Sequence, residues 1–87
     1  MEKPIQKYLS FADAVKEELK HARSTYQPFN SLHEAYAVIL EEVKEFEAEV
    51  FRKPNDRHAK HILRELAQIA AMCQRAAEDC LSSENIN

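Results

Sequence analysis

The sequence predicts an all-α chain of three helices, the second and third folded as an antiparallel hairpin. Apolar residues recur at helical spacing in three stretches, Ser10 and Ser31 stand at helix starts, and Pro28 and Pro54 fall between the stretches. Ser10 begins the first helix, with Asp13 three residues later and Phe11, Val15, Leu19 and Ala22 as its apolar stripe. This helix is expected over about residues 10–24. Tyr26 to Asn30 reads as an extended linker, because proline pushes the residue before it out of helical geometry.

Ser31 and Glu34 form a capping box for a second helix over about 32–53. Its seam is Leu32, Tyr36, Ile39, Val43, Phe46 and Val50, at alternating steps of four and three. Pro54 ends it. Asn55 or Asp56 is expected to cap the third helix, over about 56–81, with Ala59, Ile62, Leu63, Leu66, Ile69, Ala70, Cys73, Ala77 and Cys80 or Leu81 as its stripe. The polar residues from Ser82 to Asn87 read as a frayed tail, so residues 1–87 make a single domain.

A chain of 87 residues buries only about 60% of its unfolded surface, which leaves a lone core marginal. A second subunit is therefore expected, giving a dimer or tetramer in which paired hairpins build a helical bundle. The absence of glycine excludes the phosphate-cradling loops of nucleotide-binding α/β folds, and a net charge of -3 gives no footprint for duplex nucleic acid. Met1 to Pro4 opens no apolar leader. The longest apolar run, Ala35 to Leu40, is far short of the ~20 residues of a spanning helix. A cytoplasmic protein without membrane partners is expected. Cys73 and Cys80 are seven residues apart on one helix, about 10 Å along its axis, too far for a disulfide and suited to small buried hydrophobes.

Glu42 and Glu45 are one turn apart, and Glu65 and Gln68 repeat that spacing beyond the turn at Lys53-Pro54-Asn55-Asp56. If the helices fold back about Asn55, positions equidistant from it come level, pairing 45 with 65 and 42 with 68. At ~100° per residue the first pair and Glu49 sit about 60° to 120° to one side of their helix's seam, and His58, His61, Glu65 and Gln68 are displaced in the same sense on the other. Three carboxylates and an amide at one height are costly to gather unless a hard divalent cation neutralises them. Oxygen ligands at this density suit Mg²⁺ or Mn²⁺.

The stretch from Phe29 to Phe46, with Glu42 and Glu45, and the stretch from Glu65 to Met72 resemble the MazG-like all-α nucleoside triphosphate pyrophosphohydrolases, particularly their short phage and mobile-element versions. That family carries Glu-x-x-Glu on one helix and Glu-x-x-Asp on the next. Glu42 and Glu45 match the first half and Glu65 opens the second; the resemblance covers roughly residues 29 to 80, about 60% of the chain. Gln68 departs from it, standing where the last acidic residue belongs. A neutral amide oxygen ligates Mg²⁺ more weakly than a carboxylate.

The resemblance implies hydrolysis of a nucleoside triphosphate between its α and β phosphates, giving a monophosphate and pyrophosphate, in the manner of enzymes that remove non-standard nucleotides. Glu42, Glu45, Glu65 and Gln68 would hold the metal, with Glu41 or Glu49 as further carboxylates, and Glu41 would take a proton from the attacking water. Lys44, Lys60, Arg64 and Arg75 are the candidate phosphate clamps, and Phe29 a candidate base contact. The alternative is a catalytically silent module of the same fold that binds nucleotides or a protein partner, for which Gln68 is the argument. Two weaker patterns are set aside: His58 and His61 give only two of the four ligands zinc needs, and Glu18-Leu19-Lys20-His21 is half of a di-iron signature.

Overall fold

The computed structural model describes residues 10–56 and 58–81, and within them it is all-helical, without strands. Helix α1 runs Phe11–Thr25, α2 Leu32–Val50 and α3 Ala59–Cys80, with a 3-10 turn at Pro54–Asp56. The serine caps form as the sequence predicts. Ser10 Oγ accepts from the Asp13 amide and Ser31 Oγ from the Glu34 amide, both at 3.1 Å, while Glu34 Oε1 reaches back to the Asn30 amide at 2.7 Å. The two serines satisfy amides that the first helical turn leaves without a backbone partner, and Glu34 ties down the residue before the cap.

Helix α2 ends at Val50, short of the expected 53, and α3 starts later than 56 because the 3-10 turn takes up Pro54–Asp56. The third helix is capped by neither Asn55 nor Asp56. His58 holds the N-cap position and makes no side-chain cap hydrogen bond. Leu81 takes the C-cap of α3; the first nine residues and the tail from Ser82 to Asn87 lie outside the described residues.

Helix α3 is the element on which both others pack. Glu18 of α1 meets Arg64 and Gln68, and Arg23 meets Glu78 and Asp79, so α1 and α3 run in the same direction. Ala35 shares a cluster with Ala71 and Met72 while Glu45 lies beside Glu65, so α2 runs opposite to α3. The core joins Ala22, Phe29, Ala35, Ala71 and Met72, with Val15, Leu19, Val38 and Ile39 packed against it. Alanine dominates the contacts, and among the described residues no large side chain is fully buried.

That packing turns α2 away from its predicted seam. Ile39 and Phe46 are half-buried, but Leu32, Val43 and Val50 are exposed and Tyr36 is 66% exposed. The contact face of α2 is centred instead on Ala35, where the missing side chain lets α3 approach. Cys73 likewise faces outward, correcting its assignment to the interior; both cysteines are free thiols. No helix among the described residues is long and apolar enough to cross a membrane.

The linker from Tyr26 to Asn30 is clasped by α3. Asp79 accepts from the Phe29 amide at 2.9 Å and pairs with Arg23 at 2.9 Å, its side chain only 7% exposed. Asp79→Ala should lower the unfolding free energy in urea by about 1–3 kcal/mol, because it strands the part-buried Phe29 amide and removes one of the two carboxylates paired with Arg23. Glu78→Ala, whose carboxylate is held below the usual range by hydrogen bonds from Gln74 and Arg23 but stands in solvent, should change stability far less.

Candidate functional site

The hairpin brings Glu42, Glu45 and Glu65 together, each offering a carboxylate oxygen within 4.8 Å of the others. Glu42 and Glu65 are half-buried and Glu45 is exposed. Their convergence follows from the fold-back about the 55 region, since 45 and 65 come level across a helix pair that alanines hold close. Glu42 Oε1, Glu65 Oε1 and Glu49 Oε1 are buried without a hydrogen-bond partner. Glu49 gives its other oxygen to Arg52 Nε at 3.5 Å.

Buried carboxylate oxygens without donors are uncommon in folded proteins, where such groups are ordinarily satisfied. Burial raises the Glu42 pKa to about 7, helped by the negative charges of Glu45, Glu65 and Glu41. Burial also raises that of Glu65, with Glu45 and Glu49 adding repulsion and Arg64 opposing it. The donor set is therefore three carboxylate oxygens facing one another, close enough for Glu45 to share a proton with either neighbour. A small hard cation fits such a set, because it meets the orphaned lone pairs and removes the repulsion together.

The remaining sequence candidates divide. Gln68 turns toward α1, its Nε2 donating to Glu18 Oε1 at 3.5 Å. Lys44 and Lys60 are exposed and do not line the adjoining cavity. Arg64 is exposed at its side chain and stands 3.9 Å from Glu18. Glu41 is exposed on the cavity wall, and Phe29 is buried in it.

That cavity lies between α1, the linker, α2 and α3 and measures about 580 Å³, within the ~300–1,000 Å³ of small-molecule sites. Glu42 borders both it and the carboxylate cluster. Two of its walls were not legible as such in the sequence. Glu18 lies on α1, where no spacing rule relates it to the hairpin, and Arg75 was one of four undifferentiated cations. In the fold Arg75 is 3% exposed, with Nη2 donating to the Gln27 carbonyl at 2.9 Å, Nη1 to Met72 Sδ at 3.3 Å, and its guanidinium 4.0 Å from the Phe29 ring centroid.

No family model, curated protein or solved structure matches this chain.

The raised carboxyls couple stability to pH with a definite sign. Glu42 returns to an ordinary value near 4.5 in the unfolded chain and stands at about 7 in the fold, so its favourable contribution is complete below 4.5 and is lost as pH climbs through 7. Glu42→Gln keeps the neutral shape at every pH. Its melting temperature should equal that of wild type near pH 4 and exceed it at pH 8 by about 4–8 °C, the shift that ~1 kcal/mol makes in a domain of this size.

Proposed function

We propose that the chain is a Mg²⁺-dependent nucleoside triphosphate pyrophosphohydrolase of the MazG-like kind. The observation that carries this reading is the convergence of Glu42, Glu45 and Glu65 around unpartnered oxygens beside a cavity large enough for a nucleotide. The sequence resemblance over Glu42, Glu45 and Glu65 supplies the reaction. Glu42, Glu45 and Glu65 would hold the ion, with the unpartnered Oε1 of Glu49 as a neighbour. Bound there, Mg²⁺ or Mn²⁺ would shield the triphosphate and acidify a water. Glu41, exposed on the cavity wall, supplies a carboxylate to accept the proton lost as water attacks the α phosphorus and the bond to the β phosphate breaks. Of Lys44, Lys60, Arg64 and Arg75, Arg75 is the one that borders the cavity, where it is buried and braces Phe29.

A specific observation also supports a silent binding module. Gln68 is a neutral amide whose Nε2 is directed at Glu18, so the position that carries the family's fourth acidic residue adds no charge. The exposed apolar residues Leu32, Tyr36, Leu40 and Val43 of α2 support assembly with further copies, in which they would be covered.

Purified protein with Mg²⁺ should release pyrophosphate from one or more (deoxy)nucleoside triphosphates in a screen that includes damaged bases, and Glu45→Gln and Glu65→Gln should reduce release to background. Thermal stabilisation by nucleotide without any turnover would replace the enzyme by the binding module. Millimolar Mg²⁺ should raise the melting temperature at pH 8 and leave it unchanged at pH 4, where protons occupy the same oxygens. A mass above that of one chain is expected in solution.

A further inference from the structure

The cavity carries a part-buried carboxylate, Glu18, on its α1 wall, and Glu34, Glu41 and Glu42 add further acceptors to the lining. Glu18 projects from α1 with its side chain 15% exposed. Its two contacts are both long: Gln68 Nε2 at 3.5 Å and Arg64 Nε at 3.9 Å, each at or beyond the limit of an effective hydrogen bond. An ionised carboxylate has about four lone-pair sites, so Glu18 retains strong acceptor capacity inside the cavity. Gln68 has turned its donor to Glu18, which leaves its carbonyl oxygen as a second acceptor. The other uncharged polar side chains of the lining, His21, Tyr26, Gln27 and Asn30, are exposed.

The rest of the wall suits a flat ring. Phe29, Met72 and Val38 provide apolar surface. Arg75 fixes the Phe29 ring by stacking on it, and its Nε is buried without a partner. No carboxylate of the described residues pairs with this guanidinium, so a buried cation is held in the wall for its geometry while acceptors line the edge.

We propose that this cavity seats the nucleobase of the substrate and selects cytosine, which carries an exocyclic amino group, over uracil, which carries a carbonyl oxygen at the same position, with Glu18 as the specificity-determining residue. The proposal rests on the nucleotide reading above and names the base that reading leaves open. An amino group facing Glu18 makes a charge-assisted hydrogen bond, stronger than a neutral one. A carbonyl oxygen in the same place faces a carboxylate, acceptor against acceptor, and leaves both unpaired. Such a mismatch weakens binding by about 10- to 100-fold.

The test uses the full chain with Mg²⁺ and triphosphates bearing an α,β-imido bridge, which are not cleaved at that bond. Calorimetry should give deoxycytidine binding about 10- to 100-fold tighter than deoxyuridine, and N4,N4-dimethyldeoxycytidine, which has lost the donor, should bind like deoxyuridine. Glu18→Gln should bring the cytosine and uracil affinities to within about threefold, since an amide serves either edge. Equal or reversed affinities in the wild type, no binding of either compound, unchanged affinity on dimethylation, or a preference that survives Glu18→Gln would each overturn the proposal. Failure of the enzyme reading looks different: natural deoxycytidine triphosphate would release no pyrophosphate while the base preference in binding persisted.

Discussion

The contact on which the structure depends is the alanine-lined approach of α3 to its two neighbours. Ala67 and Ala71 on α3, Ala14 and Ala22 on α1 and Ala35 on α2 are all nearly inaccessible to solvent. Small side chains let the helix axes come close, and each removes little surface from water, so stability rests on many slight contacts instead of a few large ones. The same closeness dictates what happens beside the contact. Long side chains flanking an alanine have nowhere to go but toward their counterparts on the facing helix, and on α2 and α3 those side chains are glutamates.

Crowding carboxylates in this way is unfavourable by itself, and the protonation of Glu42 near neutrality is the measure of it. Folded proteins ordinarily place such groups where water or donors satisfy them. Here the Oε1 atoms of Glu42, Glu49 and Glu65 are buried without a protein donor. A fold optimised only for stability would replace them with apolar residues of similar volume; their concentration beside a cavity gives the arrangement a chemical meaning.

Helix α3 also organises the cavity. Its Arg75 and Asp79 grip the linker at Gln27 and Phe29, holding Phe29 inward. Helices α1 and α2 both lean on α3, so a space opens between them with α3 as its floor. The linker clasp and Glu65 of the carboxylate cluster thus lie on one helix, some turns apart, and Glu42 of α2 borders both the cavity and the cluster.

Much of this was legible in the residues. Helix number, the serine caps at Ser10 and Ser31, the fold-back near Asn55 and the pairing of Glu45 with Glu65 follow from local chemistry and the fixed rise of a helix, which depend only on residues near one another in the chain, whereas Gln68, expected level with Glu42, is directed at Glu18 of α1. The rotation of α2 was not legible. Leu32, Tyr36, Val43 and Val50 form a regular stripe, and periodicity alone assigns such a stripe to the interior; three-dimensional closeness at Ala35 moved the contact elsewhere and drew Glu42 and Glu49 inward. Glu18 and Arg75 gained their surroundings the same way, since the partners of each lie about 50 residues distant. Sequence determined which elements form and which residues come level, because those are short-range properties. Tertiary structure decided which face of each helix is buried and what lines the cavity, because those depend on how closely distant backbones approach.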